Sequence, residues 1–325
     1  MLKLGRLILN APFFQASLSG YSDYAMRRLA IDFGAPLTFA GVILAKSAAH
    51  PKVIKKIEFQ PHKDEHPVGA QLLGNEPEIM VKAAQAVTNI GYDVLDLNFA
   101  CPAPKVLRRC RGGYMMQEPQ KVMDIYRKVR QVVSCPLLMK LRIGFDDTAQ
   151  SRDNFWEIAS QACSENIDAL VVHGRTTLQK FRGQADWQIL AELKRQFPKT
   201  TIIGSGDLFD AETIAQRLKT AGLDGVAIAR GAIGNPWIFR NLRAVLEGKP
   251  LPPPPSLTEQ GEVILKHYEL ICRLYVAAKT TRYFRKFLVN YCKLHPERRK
   301  VQKALLAVRK QDELVPAIKQ WYGLG

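Results

Sequence analysis

Apolar runs alternate with stretches of helical period along most of the chain. Eight runs are continuous enough for strands buried on both faces: residues 7–18, 37–44, 68–73, 94–98, 137–143, 169–173, 200–203 and 225–228. Helical periods follow most of them, most clearly at residues 24–32, 77–90, 120–133, 153–163, 187–196 and 211–219. This alternation predicts an α/β protein whose parallel strands close into a (β/α)₈ TIM barrel.

The pattern changes after Gly248. Residues 249–255 read Lys-Pro-Leu-Pro-Pro-Pro-Pro, which predicts a stiff, extended linker. Ser256 is suited to cap the helix that follows, and residues 257–322 have helical period throughout. We expect a catalytic barrel domain over residues 1–248, a Pro-rich linker over 249–255 and a small all-α helical bundle over 256–325.

The strongly positive charge of the chain predicts that the barrel protein binds an acidic partner. The 325 residues carry a formal net charge of +17, which favours nucleic acid ahead of anionic membrane. Residues 251–325 contain 14 Lys and Arg against 6 Asp and Glu. Arg282, Arg285 and Lys286 alternate there with aromatic residues, which we expect to form the bundle core. The cations predict a surface that binds RNA through its phosphates.

Other classes of protein are disfavoured by what the sequence lacks. No apolar run reaches the roughly 18 residues of a membrane span, and the first residues lack a convincing signal-peptide pattern. The six cysteines are scattered without a C-x-x-C pair, which argues against a disulfide framework and a structural metal. We expect a cytoplasmic monomer with no metal and no membrane association.

Polar residues cluster where the predicted strands end, which is where TIM barrels form active sites. The polar residues are Gln71, Asn98, Cys101, Lys140, Arg142, His173, Ser205, Asp207 and Arg230, and Gly206 and Ala229 lie among them. Taken singly, Lys140 could merely end a strand and His173 could be a core histidine. Glycines after the seventh and eighth strands match a phosphate site. Lys140 and Gln71 could hydrogen-bond the carbonyl edge of a planar ring, which points to flavin mononucleotide (FMN).

Cys101 has the surroundings of a reactive cysteine. Pro102 disfavours a helical conformation at Cys101, so the thiol should lie in an extended or turning segment after a strand. Lys105, Arg108 and Arg109 follow, and such cations could hold a polyanion over the thiol. The sequence therefore predicts a reactive cysteine beside a phosphate-rich substrate.

Several segments together resemble the tRNA-dihydrouridine synthase family. The most specific are Asp96-Leu97-Asn98-Phe99-Ala100-Cys101-Pro102, followed by Gly112-Gly113, and the segment from Arg230-Gly231 to Pro236-Trp237-Ile238-Phe239. Between residues 16 and 239 the resemblance also runs through Gln71-Leu72-Leu73-Gly74, Lys140-Leu141-Arg142, His173-Gly174-Arg175-Thr176 and Gly206-Asp207. It continues more faintly into the C-terminal region.

This resemblance implies an FMN enzyme, reduced by NADPH, that converts uridine in tRNA to 5,6-dihydrouridine. Hydride would reach C6 of the uracil while Cys101 protonates C5, and Asn98 would orient the base. The implied cofactor-binding residues are Ser17, Leu18, Ser19, Gln71, Lys140, His173, Ser205, Gly206, Asp207, Ala229 and Arg230. The implied substrate-binding residues are Asn98, Lys105, Arg142, Arg175, Arg282, Arg285 and Lys286.

The segment Ala16-Ser17-Leu18-Ser19-Gly20-Tyr21-Ser22-Asp23 fits the family pattern with its usual proline and methionine replaced, and two further departures fall near the expected cofactor or substrate. Gly41 stands where the family usually has glutamate, and Ser205 stands where it usually has asparagine. Two alternatives therefore accompany the main hypothesis. One is a flavin-dependent reductase of a small pyrimidine, and the other is an RNA-binding paralogue that acts on another RNA such as rRNA.

Overall fold

A short antiparallel hairpin precedes the barrel in the computed structural model, which describes residues 1–325 and all their side chains except those of Glu58, Ala277 and Ala278. The hairpin strands are β1 (Leu2–Leu4) and β2 (Leu7–Leu9). Eight parallel strands then close into a barrel in which consecutive strands are neighbours and β10 pairs with β3. The barrel strands are β3 (Phe13–Gln15), β4 (Thr38–Leu44), β5 (Val68–Leu73), β6 (Val94–Asn98), β7 (Leu137–Arg142), β8 (Ala169–His173), β9 (Ile202–Ser205) and β10 (Gly225–Ile228).

The strands are apolar because both of their faces are covered. Every residue of β5, β6, β8, β9 and β10 is buried, as expected for a parallel sheet enclosed by helices. Phe14 and Phe39 pack inside the barrel with their ring centroids 5.3 Å apart. Leu2 and Leu4 of the hairpin belong to the same buried cluster. The hairpin therefore packs against the barrel interior at the end where the strands begin, opposite their carboxyl ends.

Helices connect the strands and cover the outside of the barrel. They are α1 (Tyr24–Asp32), α2 (Ala45–Ala48), α3 (Pro51–Ile54), α4 (Pro77–Asn89), α5 (Pro104–Leu107), α6 (Pro119–Val132), α7 (Ala149–Ser164), α8 (Gln188–Gln196), α9 (Ala211–Ala221) and α10 (Trp237–Leu246). Short 3₁₀ helices lie at Ile57–Phe59, Gly112–Gln117, Arg230–Ala232 and Cys292–Leu294. Asp23 begins α1 by accepting a hydrogen bond from the Met26 backbone N–H at 3.0 Å.

Four further helices follow the Pro-rich segment, and the first of them packs against the first helix of the barrel. They are α11 (Leu257–Leu274), α12 (Ala277–Tyr291), α13 (Arg298–Ala307) and α14 (Gln311–Tyr322). Ser256 caps α11 through the Glu259 backbone N–H at 3.1 Å, as predicted. Lys266 of α11 pairs with Asp32 of α1 at 2.7 Å, and Glu259 accepts from Trp237 Nε1 at 2.6 Å. These contacts join the C-terminal helices to the barrel.

The predicted TIM barrel with C-terminal helices is confirmed, but the first predicted strand is wrong. Residues 7–18 divide into β2 of the hairpin and β3 of the barrel. The break falls at Asn10 and Pro12, and Pro12 has no N–H to donate, although its carbonyl accepts from Val226 at 2.9 Å. The division into a catalytic and an RNA-binding domain stays a prediction. Among the described residues, no helix has the length and apolar character needed to cross a membrane.

Candidate active site

An open pocket lies where the barrel strands end, with a volume of about 1040 Å³ that is partly exposed to solvent. The carboxyl ends of parallel barrel strands share one face, which places residues distant in sequence around one cavity. The predicted residues that line it are Ser17, Leu18, Ser19, Gln71, Asn98, Cys101, Lys140, Arg142, His173, Ser205, Gly206, Asp207, Ala229 and Arg230. The pocket therefore lies at the carboxyl ends of the barrel strands, where the sequence analysis predicted an active site.

A chain of hydrogen bonds connects the floor of the pocket to the cysteine segment. Asn98 Oδ1 accepts from the backbone N–H of Ala100 at 3.1 Å and of Cys101 at 3.0 Å. Asn98 Nδ2 donates to Gln71 Oε1, and Gln71 Nε2 donates to Asp96 Oδ2, each at 2.6 Å. Asp96 and Asn98 are two residues apart on β6, so both side chains face the same side. The network therefore fixes the Cys101 segment relative to the buried carboxylate.

Asp96 and Lys140 are buried ionisable neighbours at the base of this network. Burial lowers the pKa of Lys140 and raises the pKa of Asp96, while the charge of each opposes the shift of the other. Lys140 Nζ and Asp96 Oδ1 are buried and have no hydrogen-bond partner among the described residues. Since buried polar atoms are normally paired, these two atoms indicate a bound group that supplies the partners.

The segment that carries Cys101 is held by close packing on its far side. The Gly113 N–H donates to the Cys101 carbonyl at 3.0 Å. Gly112 has φ +59°, and a Cβ there would lie 2.9 Å from the Cβ of Cys101. Arg142 Nε donates to the Ala100 carbonyl at 2.8 Å. Cys101 itself is half-buried in the pocket wall, so the thiol has a fixed place with access to the cavity.

Arg142 lines the pocket, but its guanidinium is bound by the protein. Its Nη1 donates to the carbonyls of Thr176 at 2.7 Å and Lys180 at 2.9 Å, in addition to the Nε bond to Ala100. Burial lowers the pKa of Arg142 to about 10. These bonds join the loop after β8 to the cysteine segment, so Arg142 organises the pocket wall.

Arg175 lies behind the pocket, outside its lining. It is 1% exposed, and its Nη2 donates to Asp207 Oδ2 at 2.6 Å. Its Nη1 lies 3.3 Å from His173 Nε2, and His173 faces the pocket. Burial, with help from the nearby cation of Lys140, lowers the pKa of His173, which is therefore neutral. Arg175 thus supports two residues of the pocket wall.

The loops after β9 and β10 form the opposite end of the pocket. Gly206 has φ +118°, a conformation that glycine adopts without strain, and Asp207 Oδ1 lies 3.6 Å from Arg230 Nη2. The Arg230 guanidinium lies 4.2 Å from the ring centroid of Phe181 and 5.4 Å from that of Phe209. Both rings are about half exposed. An arginine between two aromatic rings, beside a glycine turn, is suited to an anionic group with a planar neighbour.

The loop after β3 closes the pocket on the side of the C-terminal helices. Ser17 Oγ donates to the Ala40 carbonyl at 2.6 Å, and the Leu18 N–H donates to Ser22 Oγ at 2.9 Å. The Gly41 N–H donates to the Ser22 carbonyl at 3.0 Å. A Cβ at Gly41 would lie 3.8 Å from the carbonyl oxygens of Leu18 and Ser22, which is an ordinary van der Waals contact, so the backbone would accept a Cβ here without a clash.

The predicted RNA-binding cations lie outside the pocket and differ in what they contact. Lys105 and Arg282 are exposed. Arg285 Nη2 donates to the Val308 carbonyl at 2.7 Å within the bundle. Lys286 donates to the Gly20 carbonyl and lies 3.2 Å from the ring centroid of Tyr283, and burial lowers the pKa of Lys286 to about 8. Lys105 and Arg282 are thus available to a phosphate, whereas Arg285 and Lys286 stabilise the bundle and its contact with the barrel.

Among the pocket residues that sequence reasoning missed are Asp96, Phe181 and Phe209. Asp96 could have been found, because a residue two positions before Asn98 on a strand faces the same side. Phe181 and Phe209 lie in loops after β8 and β9, where no periodicity indicates which side chain turns inward. Across the described residues, no group of three or more His, Cys, Asp or Glu side chains is arranged to hold a metal ion.

Comparison with known proteins identifies relatives over nearly the whole chain. The model of the dihydrouridine synthase (Dus) family matches residues 14–321. The tRNA-dihydrouridine synthase B of Pasteurella multocida is 31% identical over 323 residues, covering 99% of this chain and 96% of that protein. A probable tRNA-dihydrouridine synthase of Rhodobacter capsulatus is 32% identical over 292 residues, 89% of each chain.

Solved structures of low sequence identity share the barrel fold. Morphinone reductase in complex with tetrahydroNAD matches with a TM-score of 0.52 and 16% identity, covering 77% of this chain and 90% of that chain. Histamine dehydrogenase from Rhizobium sp. 4-9 matches with a TM-score of 0.55 and 14% identity over 83% of this chain. The match spans half of the histamine dehydrogenase chain. At this identity the likeness concerns the fold alone.

Proposed function

Because this chain belongs to the dihydrouridine synthase family, we propose that it reduces the C5=C6 bond of a uridine in tRNA to 5,6-dihydrouridine, with FMN as bound cofactor and NADPH as reductant. The observation that carries the proposal is the pocket that unites Cys101, through Asn98 and Gln71, with the buried Asp96 and Lys140. This arrangement offers a proton donor, amide groups and a cation around one cavity.

The residues present fit a flavin. Lys140 Nζ is buried without a partner among the described residues, so an acceptor such as a ring carbonyl would satisfy it. Gln71 lies on β5 and Lys140 on β7, so the two residues flank Asp96 of β6. At the other end, the glycine turn at Gly206 and the guanidinium of Arg230 are suited to a phosphate. We assign Ser17, Leu18, Ser19, Ser205, Asp207 and Ala229 to the cavity wall around the cofactor.

When bound, the flavin would supply the hydride that C6 of the uracil receives. The thiol of Cys101 would donate its proton to C5, leaving a thiolate that regains a proton from solvent. Asn98 would keep the thiol in position, because its side chain holds the backbone N–H of Cys101. Hydride addition places negative charge on the uracil oxygen, and hydrogen-bond donors in a water-poor pocket lower the barrier to that step.

RNA would be held on the exposed cations rather than in the pocket itself. Lys105 lies on α5, shortly after Cys101 in the chain, and Arg282 is exposed on α12. Phosphate contacts from such cations supply affinity that depends on salt. The target uridine would leave its stack to enter the pocket, as bases do when enzymes act on them.

The experiment combines a visible spectrum of the purified protein with a product assay. We expect flavin absorbance and, after incubation with NADPH and unmodified tRNA, dihydrouridine by mass spectrometry. Cys101→Ala should lose most product while keeping flavin, whereas Cys110→Ala in the same segment should resemble wild type. A wild-type protein that forms no dihydrouridine on tRNA would refute the proposed activity. Product formation unchanged in Cys101→Ala would refute the role of the thiol alone.

A further inference from the structure

A second cavity lies beside the active-site pocket, between the barrel and the C-terminal helices. It measures about 1230 Å³, part of it open to solvent. Its walls come from the loop before α1, the bulged part of β4, the 3₁₀ helix at Ile57–Phe59 and the segment between α11 and α12. None of the residues proposed above to bind the cofactor lines it, so its lining has no role in the proposed reaction.

Aromatic rings form much of the cavity wall, and their orientation is fixed. Tyr24 and His62 stack with centroids 3.7 Å apart and planes 19° apart. The Tyr24 hydroxyl donates to Asp64 Oδ2 at 2.6 Å, which holds the ring in place. Tyr275 and Tyr283 line the same cavity, with centroids 4.3 Å apart. Preformed flat apolar surfaces of this kind bind planar rings, and stacking on them tolerates any nucleobase.

The second cavity adjoins the active-site pocket, so it is suited to receive a group that is adjacent to the one bound in that pocket. Val42 lines both cavities. The loop after β3 runs between them, with residues 17–19 facing the active site and residues 20–24 facing the second cavity. A uridine drawn into the first pocket would therefore leave its adjacent nucleotide near the second.

The surroundings favour RNA over a free small molecule. The C-terminal helices supply one wall of the cavity, and residues 251–325 carry the strongest basic excess of the chain. Arg273 lines the cavity with a side chain that is 68% exposed, and its guanidinium pairs with Glu269 at 2.5 Å. An exposed pair of this kind contributes little to stability, so a phosphate can take the place of the carboxylate. Unstacked bases of single-stranded RNA are bound in this way, on aromatic faces beside cations.

We propose that this cavity binds an unpaired nucleobase of the same RNA that presents its uridine to the active site, stacked on the Tyr24 and His62 pair. The inference rests on the proposed function and extends it, because it names a second contact by which the enzyme selects RNA with a splayed-out nucleotide. His62 is a substrate-binding residue in this view, although it is far from Cys101 in sequence.

The test compares His62→Ala with His62→Phe, which keeps an aromatic face. Binding of unmodified tRNA is measured over a range of salt concentrations, and flavin reduction by NADPH is measured without RNA. We expect His62→Ala to bind tRNA roughly 5- to 150-fold more weakly, since stacking contributes about 1–3 kcal/mol per base. His62→Phe should stay within about twofold of wild type. The dependence of affinity on salt should not change, because no phosphate contact is lost.

Three results would overturn the inference. Unchanged tRNA binding by His62→Ala would show that the cavity holds no base. An equal loss in His62→Phe would show that the aromatic face is not what matters. Slower flavin reduction in His62→Ala would assign the cavity to the reductant. Wild-type protein that makes dihydrouridine separates these outcomes from a failure of the proposed function, and thermal denaturation of each variant separates them from misfolding.

Discussion

Replacing Asp96 by asparagine tests the buried charge pair at the base of the pocket. The change keeps the shape of the side chain, and the new amide oxygen can still accept from Gln71 Nε2. It removes the negative charge that opposes the effect of burial on the pKa of Lys140. With that charge gone, the pKa of Lys140 falls further below its ordinary value, so the amine is neutral over more of the physiological pH range.

The size of the effect follows from the loss of the charged hydrogen bond that the protonated amine of Lys140 would donate. A hydrogen bond from a charged donor contributes about 1.5–3 kcal/mol. Losing it corresponds to roughly a 10- to 150-fold decrease in kcat/KM, at about 1.36 kcal/mol for each factor of ten. In wild type, burial lowers the pKa of Lys140, so activity that needs the protonated amine declines as pH rises through that lowered pKa. In Asp96→Asn the decline should begin at lower pH.

The assay is the pH profile of dihydrouridine formation, combined with flavin affinity measured by fluorescence. Asp93→Asn is the matched control, because Asp93 lies just before the same strand at the opposite end, where it accepts from the Val68 N–H at 2.8 Å. An Asp96→Asn profile that coincides with wild type in both height and position would refute the role assigned to the pair. Lower dihydrouridine formation with an unchanged dependence on pH would mean that Asp96 has a structural role only.

Three further predictions concern the parts that hold the pocket and the bundle. Gly112→Ala should lower stability by about 1–3 kcal/mol and reduce turnover, because its Cβ would crowd Cys101, whereas Gly20→Ala, with open space around it, should lose less in thermal denaturation. Arg282→Ala should reduce the slope of log affinity against log salt by about one, while Arg285→Ala should leave that slope unchanged and lower stability instead. Lys286→Met should destabilise the protein by about 1–3 kcal/mol and increase hydrogen exchange around Gly20, since its bond to that carbonyl is lost.

The residues that the sequence located best are those fixed by strand geometry. Gln71, Asn98 and Lys140 come from strands whose apolar runs are continuous, so the end of each run marks the rim of the barrel. Cys101 was marked by the proline that follows it. At these residues the end of an apolar run in the sequence also gives the position in the fold, because a parallel barrel brings the carboxyl end of every strand to one face.

The sequence was less informative where function depends on contacts between distant segments. Arg175 and Arg142 look like ligands of a phosphate or a base, yet they donate to Asp207 and to backbone carbonyls. An arginine in a basic chain carries no local sign of whether its partner is internal. The same holds for Lys286, whose bond to the Gly20 carbonyl joins positions 266 residues apart. Only the packing of the C-terminal helices on the barrel reveals such partners.

Lys286 and its neighbour Tyr283 connect the C-terminal helices to the barrel near the active-site pocket. Lys286 and Tyr283 of α12 bind the loop after β3, where Tyr283 donates to Asp23 Oδ2 at 2.8 Å. Burial raises the pKa of Asp23, and the neighbouring hydrogen bonds oppose that shift. The same loop carries Ser17 to the wall of the active-site pocket. These contacts of α12 therefore hold a loop that borders both cavities, with residues 17–19 lining the active-site pocket and residues 20–24 lining the second cavity.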